Sequence, residues 1–489
     1  MTSHIYDLCI IGGGINGAGI ARDAAGRGLN VALVEAKDLA SGTSSKSTKL
    51  IHGGLRYLEY YEFKLVKNAL KERETLLNIA PHIIWPMEFI LPHSPSLRPA
   101  WLIRLGLFLY DHLAKRKKLP GSKSVTLKSS PLTSTFTKGF SYHDCWVEDS
   151  RLVALNAMDA HKHGADILTY TKATNIRPEG KTWTIDLLDS LAGHTSQIKA
   201  KKIINAAGPW VKDIFRTNAF DSPAIPNLRL IKGSHIIIPK LYEGDHSYIL
   251  QQKDGRIMFT IPYEHHYTLI GTTEEDYTGD PYEAQISEDE KAYLCAAILE
   301  SFDHTIAPID IIGTYSGVRS LFDDGAGDAK AVTRDYKLHL HQRTPLPMLS
   351  VFGGKLTTYR VLAQKAVNKI TGSERSAGWT KTQPLPGGGF NDFDHFVAQQ
   401  TQRYPFLPAL LLKRYARAYG THMEDILQNA TSMEDLGTHY GDDIYESEIA
   451  YTQQNEFTKT CEDFLWRRSK CGLHICDGTL KNLQERFGQ

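Results

Sequence analysis

The sequence predicts an α/β (α+β) protein in three parts: a nucleotide-binding domain on a parallel sheet, an antiparallel-sheet domain inserted into it, and a helical C-terminal domain. Three observations carry that prediction. Residues 10 to 35 alternate strand-like and helical spacing around a cluster of glycines. Strand-like runs crowd the middle of the chain. Beyond QPLPGGGFND (383 to 392) the pattern turns helical and poor in β-branched runs.

The first element is IIGGGINGAGIARDAAGRGLNVALVE (10 to 35). Tyr6 to Ile11 is an apolar run of strand length. Ile15 to Arg27 sets Ile15, Ala18, Ala21, Arg22 and Ala25 at helical spacing, and Leu29 to Val34 is a second strand. Glycine weakens both helices and strands, so so many at one junction point to something approaching the backbone closely. In Gly12-x-Gly14-x-x-Gly17, Gly12 permits the turn, Gly14 admits a pyrophosphate and Gly17 lets the helix lie against the strand. Ile15 and Asn16 open a helix whose N-terminus offers free N–H groups and positive dipole, and Glu35 can accept from ribose hydroxyls.

In the middle, ILTYTKA, WTIDLL, KKIINAAG, SHIIIP, RIMFTIP, YTLIGTT and PMLSVFGG read as strands of an inserted antiparallel sheet. The expected division is 1–75, 145–215 and 345–375 for the nucleotide domain, 76–144 and 216–344 for the substrate domain, and 390–489 for the helical domain. DSPAIPN (221 to 227) is a second break.

Composition narrows the function. With 56 Lys plus Arg against 55 Asp plus Glu, the net charge of +1 excludes bulk binding of nucleic acid, and any basic site must be local. The first strand begins without a charged and then apolar leader, so no secretory signal is expected. The six cysteines lack framework spacing, which reads as a reduced, cytoplasm-facing chain. Cys461, Cys471, His474 and Cys476 contain no CxxC pair and read as helix packing; no metal is expected. No run is long and apolar enough to span a bilayer. Residues 98 to 118, RPAWLIRLGLFLYDHLAKRKK, set Trp101, Leu102, Leu105, Phe108, Leu109 and Tyr110 beside Arg98, Arg104 and Lys115 to Lys118. They read equally as an interfacial segment on anionic lipid or as a core helix with a solvated basic end.

Three further segments bear on the cofactor. SGTSSKSTKLIHGGLRYLEYYE (41 to 62) brings the small residues Thr43, Ser44 and Ser45, then Lys49 and Leu50, to His52-Gly53-Gly54. IINAAGPWV (203 to 211) ends a strand at Ala207, Gly208 and Trp210. LSVFGGKLTTYRVLAQKAV (349 to 367) repeats strand, glycine turn and helix through Gly354, Lys355, Leu356 and Thr357. Ala36, next to Glu35, and Ala173 complete the expected contacts. An NAD enzyme usually confines its cofactor to one domain, whereas contacts from such distant segments favour an extended FAD.

GGGINGAGIARDAAGRGL, TSSKSTKLIHGGLRYLEYYEFKLV, RPAWLIRLGLFLYDHL, NAAGPWV, RLIKGSHIIIP, IGTTEEDYTGDP, TYSGVRSL, TRDY, SVFGGKLTTYR and LWRRSKCGL occur in that order. Together they resemble the FAD-dependent, respiratory glycerol-3-phosphate dehydrogenase family over essentially the whole chain. The resemblance implies oxidation of sn-glycerol 3-phosphate to dihydroxyacetone phosphate, with electrons passing to a membrane quinone. It also implies a protein peripheral on the inner face of the cytoplasmic membrane, without a spanning helix; a homodimer stays open. Three alternatives stand beside this reading: an oxidase using O2, another member of the wider flavin amine and hydroxy-acid oxidases, and a non-catalytic FAD-binding scaffold.

A phosphorylated substrate calls for guanidinium forks. The resemblance singles out Arg319 in TYSGVRSL and Arg334 in TRDY, then Arg56, Tyr57 and Lys355. His235, in KGSHIIIP, is the expected base because imidazole titrates near neutrality, its rival being an alcohol oriented by arginine with water as acceptor; His52 is expected to line the flavin. Ser320 departs from the proline expected after Arg319, which loosens the backbone there. The 356 to 371 segment is an amphipathic helix, either packed or facing lipid headgroups.

Overall fold

The computed structural model describes residues 4–94, 99–217, 228–322, 336–342, 344–375 and 378–489. Two large sheets face each other across a deep cleft. The first has six strands in the order Lys337–Leu340, Met348–Phe352, Ile203–Asn205, Leu8–Ile11, Val31–Val34 and Asp166–Leu168; all pair in parallel except the first, antiparallel edge strand. Its central strands are buried on both faces, as parallel strands covered by helices must be. Helix Ile15–Ala25 packs between helices Asp149–Lys162 and Tyr359–Thr371, with Ala18, Ala21, Leu155, Leu362 and Ala363 in one apolar core.

The second sheet has ten strands and is antiparallel apart from the pairing of Ser247–Gln251 with Ile84–His93. Its long central strand, Leu228–Pro239, registers His235 opposite both Gly271 and Tyr315, and Ile231 opposite Arg319. The aromatic and aliphatic face of Phe89, Tyr142, Ile249, Ile261 and Tyr263 fills its core.

The strand-like runs of the middle therefore divide among three sheets, not one. ILTYTKA breaks at Tyr170, whose positive φ of 54° ends the parallel strand and starts Thr171–Glu179. That strand joins Thr182–Asp189, Thr195–Ala200 and the short Ile5–Tyr6 in a separate four-stranded sheet. The opening run Tyr6 to Ile11 is divided the same way, Ile5–Tyr6 in one sheet and Leu8–Ile11 in the other.

Beyond residue 390, helices Phe393–Arg403, Ala409–Tyr419, Met423–Leu427, Glu446–Asn455 and Asp477–Arg486 bury Phe396, Leu411, Tyr415 and Tyr419 in their own core, with one short hairpin, His439–Gly441 and Ile444–Tyr445. Cys461 and Cys471 belong to a second apolar cluster there, with Phe464 and Leu483. Helix Tyr359–Thr371 buries Tyr359, Leu362, Ala366 and Val367, so its apolar face is packed. Helix Ala100–His112 behaves differently: it buries Leu107 and Tyr110 but leaves Trp101 69% and Phe108 54% exposed. Among the described residues no helix is long and apolar enough to cross a membrane. Arg98, Arg334 and the 221 to 227 break lie outside the described residues.

Candidate functional site

The glycine cluster explains why three distant corners meet. Gly12 has φ +111°, and a Cβ on it would lie 2.6 Å from the Ala206 carbonyl oxygen, so the first corner closes on the second. A Cβ on Gly17 would come within 1.8 Å of the Gly12 oxygen, which is why the helix can rest on the turn. Asn16 Nδ2 donates to the Gly353 oxygen at 3.0 Å, tying the third corner to the first. Ser44 Oγ accepts from the Ile15 N–H at 3.0 Å and holds the 43 to 45 turn against the helix start. Glu35 is nearly buried; its Oε2 accepts from the Gly13 N–H at 2.5 Å and its Oε1 from the Lys37 N–H at 2.9 Å. Burial raises its pKa, against the pull of those amides.

These corners line one end of a cavity of about 1370 Å³. Of the residues expected at a cofactor, Gly12, Gly14, Ile15, Asn16, Glu35, Ala36, Thr43, Ser44, Leu50, His52, Gly54, Ala173, Ala207, Gly208, Trp210, Gly354, Lys355, Leu356 and Thr357 border it. Arg56, Tyr57, Arg319 and Lys355 also border it, as do Phe89, Ile249 and Phe259 of the large sheet. Arg319 Nη1 lies 3.4 Å from Glu274 Oε1, and Lys355 Nζ sits 4.0 Å from the centre of the Tyr57 ring. Ser320, beside Arg319, continues the strand Gly313–Phe322 in register with Leu230, so the missing proline leaves a regular strand.

Five expected residues stand elsewhere. Gly17 serves helix packing, as above. Ser45 lies behind the cavity wall, its carbonyl oxygen accepting from Lys49 Nζ at 3.2 Å. Lys49 is 2% exposed and turned from the cavity to Asp149, 2.9 Å away, because a buried ammonium needs a counter-charge. Gly53 donates its N–H to Tyr110 Oη at 2.8 Å, and a Cβ there would meet Leu70 and Tyr110; it makes room for packing, not for a ligand. His235 does not border the cavity either. Its ring stacks on Tyr315 at 4.7 Å, and Nε2 is 2.9 Å from the hydroxyl of Thr48, which does. Burial, then the charges of Arg319 and Lys49, push its pKa down to about 3, so the expectation of titration near neutrality is corrected: the ring is neutral at pH 7.

Sequence reasoning passed over Thr48, Thr272, Tyr282 and Phe259, all on the cavity wall. Thr48 stood in the polar SKST run that was noted as small and hydroxylated. Tyr282 stacks on Trp210 at 4.0 Å between centroids, a partnership across 72 positions that no local pattern marks.

The lining fits an extended flavin dinucleotide. A glycine cradle and a helix start whose N-cap, Gly14, has no side chain suit a pyrophosphate, and a buried acid suits a ribose. Asn16 Oδ1 is a buried acceptor without a partner among the described residues, aimed at the same end. A wide apolar roof suits a flat ring.

Comparison with known proteins agrees. Residues 7–360 match the FAD dependent oxidoreductase family, and residues 379–486 match the C-terminal domain of alpha-glycerophosphate oxidase. The chain is 50% identical over 489 residues to D-erythritol 1-phosphate dehydrogenase of Brucella abortus, covering 98% of this chain and 97% of that one. It is 49% identical over 474 residues to aerobic glycerol-3-phosphate dehydrogenase of Escherichia coli, covering 96% and 94%. It is 48% identical over 492 residues to glycerol-3-phosphate dehydrogenase of Pseudomonas aeruginosa, covering 100% and 95%. Among solved structures, glycerol-3-phosphate dehydrogenase from Bacillus halodurans complexed with FAD superposes with a TM-score of 0.79 at 26% identity, covering 100% of this chain and 92% of that one.

Proposed function

Because the chain belongs to the FAD-dependent glycerol-3-phosphate dehydrogenase family, we propose that it oxidises sn-glycerol 3-phosphate to dihydroxyacetone phosphate and passes the electrons to a membrane quinone. The observation that carries this reading is the cationic lining of the cavity. Arg319, Arg56 and Lys355 border it from a strand, the turn after Gly54 and the third glycine corner. A phosphate dianion satisfies such a group far better than a carboxylate-bearing amino acid would. Arg334 of TRDY, expected as a further phosphate ligand, keeps that role in the proposal.

Bound FAD supplies the hydride acceptor. The protein's own task is to hold the C2 alcohol and take its proton. On this reading Thr48 Oγ1 receives that proton while passing its own to His235 Nε2, 2.9 Å away, so the imidazole acts through Thr48. Arg319 is the second cause of the low histidine pKa, after burial. A phosphate on Arg319 offsets that charge, so substrate binding itself makes His235 a better acceptor. Lys355, at the glycine corner, supplies positive charge where electron density accumulates.

For the acceptor, the relatives above are named as dehydrogenases, which favours quinone over O2. The exposed Trp101, Leu102, Leu105 and Phe108, with Arg104 and Lys115 to Lys118 nearby, support peripheral association with an anionic membrane face. On this reading the protein is peripheral on the inner face of the cytoplasmic membrane. The test is anaerobic titration with glycerol 3-phosphate, followed by the bleaching of the oxidised flavin band. Bleaching reversed by a quinone supports the reading. A flavin that stays oxidised sinks it and leaves the scaffold reading; reoxidation by O2 as fast as by quinone restores the oxidase.

One observation favours a second substrate of the same class. The Brucella relative is named for erythritol 1-phosphate, one carbon longer, at the same level of identity. Ranking kcat/KM for the two phosphates decides between them.

A further inference from the structure

The LWRRSKCGL stretch has no part in the catalysis proposed above. Asp463–Arg468 forms a π-helical turn, a distortion of the helical ladder that recurs at functional sites. From this turn and the residues after it, charged side chains reach three residues behind the cavity wall: Asp38, Tyr170 and Asp149. Arg467 Nε donates to Asp38 Oδ2 at 2.6 Å, and Arg468 grips the same buried carboxylate, Nη2 to Oδ1 at 2.7 Å and Nη1 to Oδ2 at 3.0 Å. Arg467 Nη2 also donates to Asp463 Oδ1 at 2.7 Å, which accepts from the Tyr170 hydroxyl at 2.6 Å. Tyr170 N–H in turn donates to the Lys37 oxygen at 2.8 Å, and Thr171 N–H to the Glu35 oxygen at 2.7 Å. Lastly, Lys470 Nζ approaches Asp149 Oδ1 at 3.4 Å, and Asp149 holds Ser47 Oγ at 2.9 Å.

Glu35, Lys37, Ser47 and Thr171 border the cavity. Their three stretches are thus fastened to one turn of chain at least 293 positions away. We propose that Asp463 to Lys470 is a cofactor clamp: the C-terminal domain sets the affinity for FAD by holding the acid end of the cavity in its binding geometry. Arg467 and Arg468 are positioning residues acting through Asp38 and Tyr170; they touch no ligand. The physical reason is preorganisation. Glu35 and the amides around it bind a ribose without an ordering cost only if the flanking backbone is already fixed, and buried ion pairs fix it because separating them leaves bare charge in the interior. The inference rests on FAD as the cofactor.

The test uses the full chain. FAD dissociation constants are measured by titrating apoprotein and following flavin fluorescence, with apoprotein melting temperatures alongside. Arg467→Gln leaves the Arg468–Asp38 pair in place; Asp38→Asn removes the shared carboxylate. The control is Glu456→Gln, which breaks a buried ion pair to Arg151 that also joins the C-terminal domain to the body, neither residue bordering the cavity; the Glu456 carbonyl oxygen, which accepts from Arg468 Nε at 2.8 Å, is left in place. The clamp predicts an FAD dissociation constant raised about tenfold or more in Arg467→Gln and Asp38→Asn. It predicts a change of less than about twofold in Glu456→Gln at a comparable loss of melting temperature. If Asp38→Asn fails to fold, Arg467→Gln and the charge-keeping Arg467→Lys carry the test, the lysine falling between glutamine and wild type. Unchanged affinity in Arg467→Gln, or equal weakening in Glu456→Gln, overturns the clamp. A wild-type chain that binds no FAD overturns the cofactor assignment instead.

Discussion

The two ends of the cavity are built by opposite means. At the nucleotide end the wall is backbone: Gly12, Gly14 and Gly354, the start of helix Ile15–Ala25, and one short acid that takes two amides. At the substrate end the wall is long side chains, Arg319, Arg56, Lys355 and Tyr57, projected from elements far apart in sequence. Where that wall meets backbone, as Gly12 meets Ala206, it tolerates no added atom, because there is nothing to swing aside. A side-chain wall can lose or exchange a member and keep its shape, so its variants are graded. On the proposed reading, the first end governs whether the cofactor is held at all, and the second how well the alcohol is presented to it.

The largest effect that can break this comparison is at Gly12. Its φ of +111° and the 2.6 Å approach to Ala206 make Gly12→Ala both strained and clashing. Backbone strain of this kind costs roughly 1–3 kcal/mol, with the clash added to it. The expected outcome is protein purified essentially free of flavin, read from the ratio of flavin to protein absorbance. A fully flavinated Gly12→Ala variant would dissolve the distinction between the two ends.

Next comes Arg319. Arg319→Met should keep its flavin while kcat/KM for glycerol 3-phosphate falls by about 10²–10³, or roughly 3–4 kcal/mol of transition-state binding. Arg319→Lys should recover part of it, since a point charge replaces a fork. Loss of flavin in Arg319→Met would show that the ends are not separable.

Thr48→Val sharpens the substrate end itself. If the proton leaves through Thr48 to His235, kcat drops about 10²-fold with little change in KM. An unchanged kcat returns the acceptor role to water.

The smallest and most pH-specific effect lies behind the wall. Burial alone would raise the pKa of Asp149, but Lys49 and Lys470 override it and hold it down to about 2. A depressed acid stabilises the fold above its unfolded pKa of about 4, and that contribution is lost as pH falls toward 2. Asp149→Asn should therefore cost about 2 kcal/mol near neutrality, the stabilisation that the depressed pKa represents. The gap between variant and wild type should close between about pH 4 and pH 2, as seen in acid denaturation curves. A gap independent of pH would mean that Asp149 acts by shape alone.

Legibility in the sequence divides along the same line. Gly12-x-Gly14-x-x-Gly17 and Glu35 were readable because turn, helix start and second strand follow one another within 26 residues, and Gly17 was assigned its packing task from spacing alone. The run from Thr43 to Gly54 borders the cavity, but its spacing does not resolve which members face it. Thr43, Ser44 and Leu50 border the cavity while Ser45, Lys49 and Gly53 turn away, because short turns with positive φ at Lys49 and Gly54 break any regular alternation. Lys49 in particular could not be told from a phosphate-binding lysine until Asp149, 100 positions on, was seen beside it.

The sequence by itself determined the glycine corners, the acid that closes the second strand, the guanidinium candidates and the helical character of the last hundred residues. Each of these is a consequence of local sterics or of one residue's chemistry. Only the tertiary structure decided that His235 sits behind Thr48 and stays neutral, that helix Ala100–His112 leaves its aromatic residues exposed, and that Asp38 shares two arginines from the far end of the chain. Burial and the approach of charges between remote segments set those properties, and neither is encoded in the order of neighbouring residues.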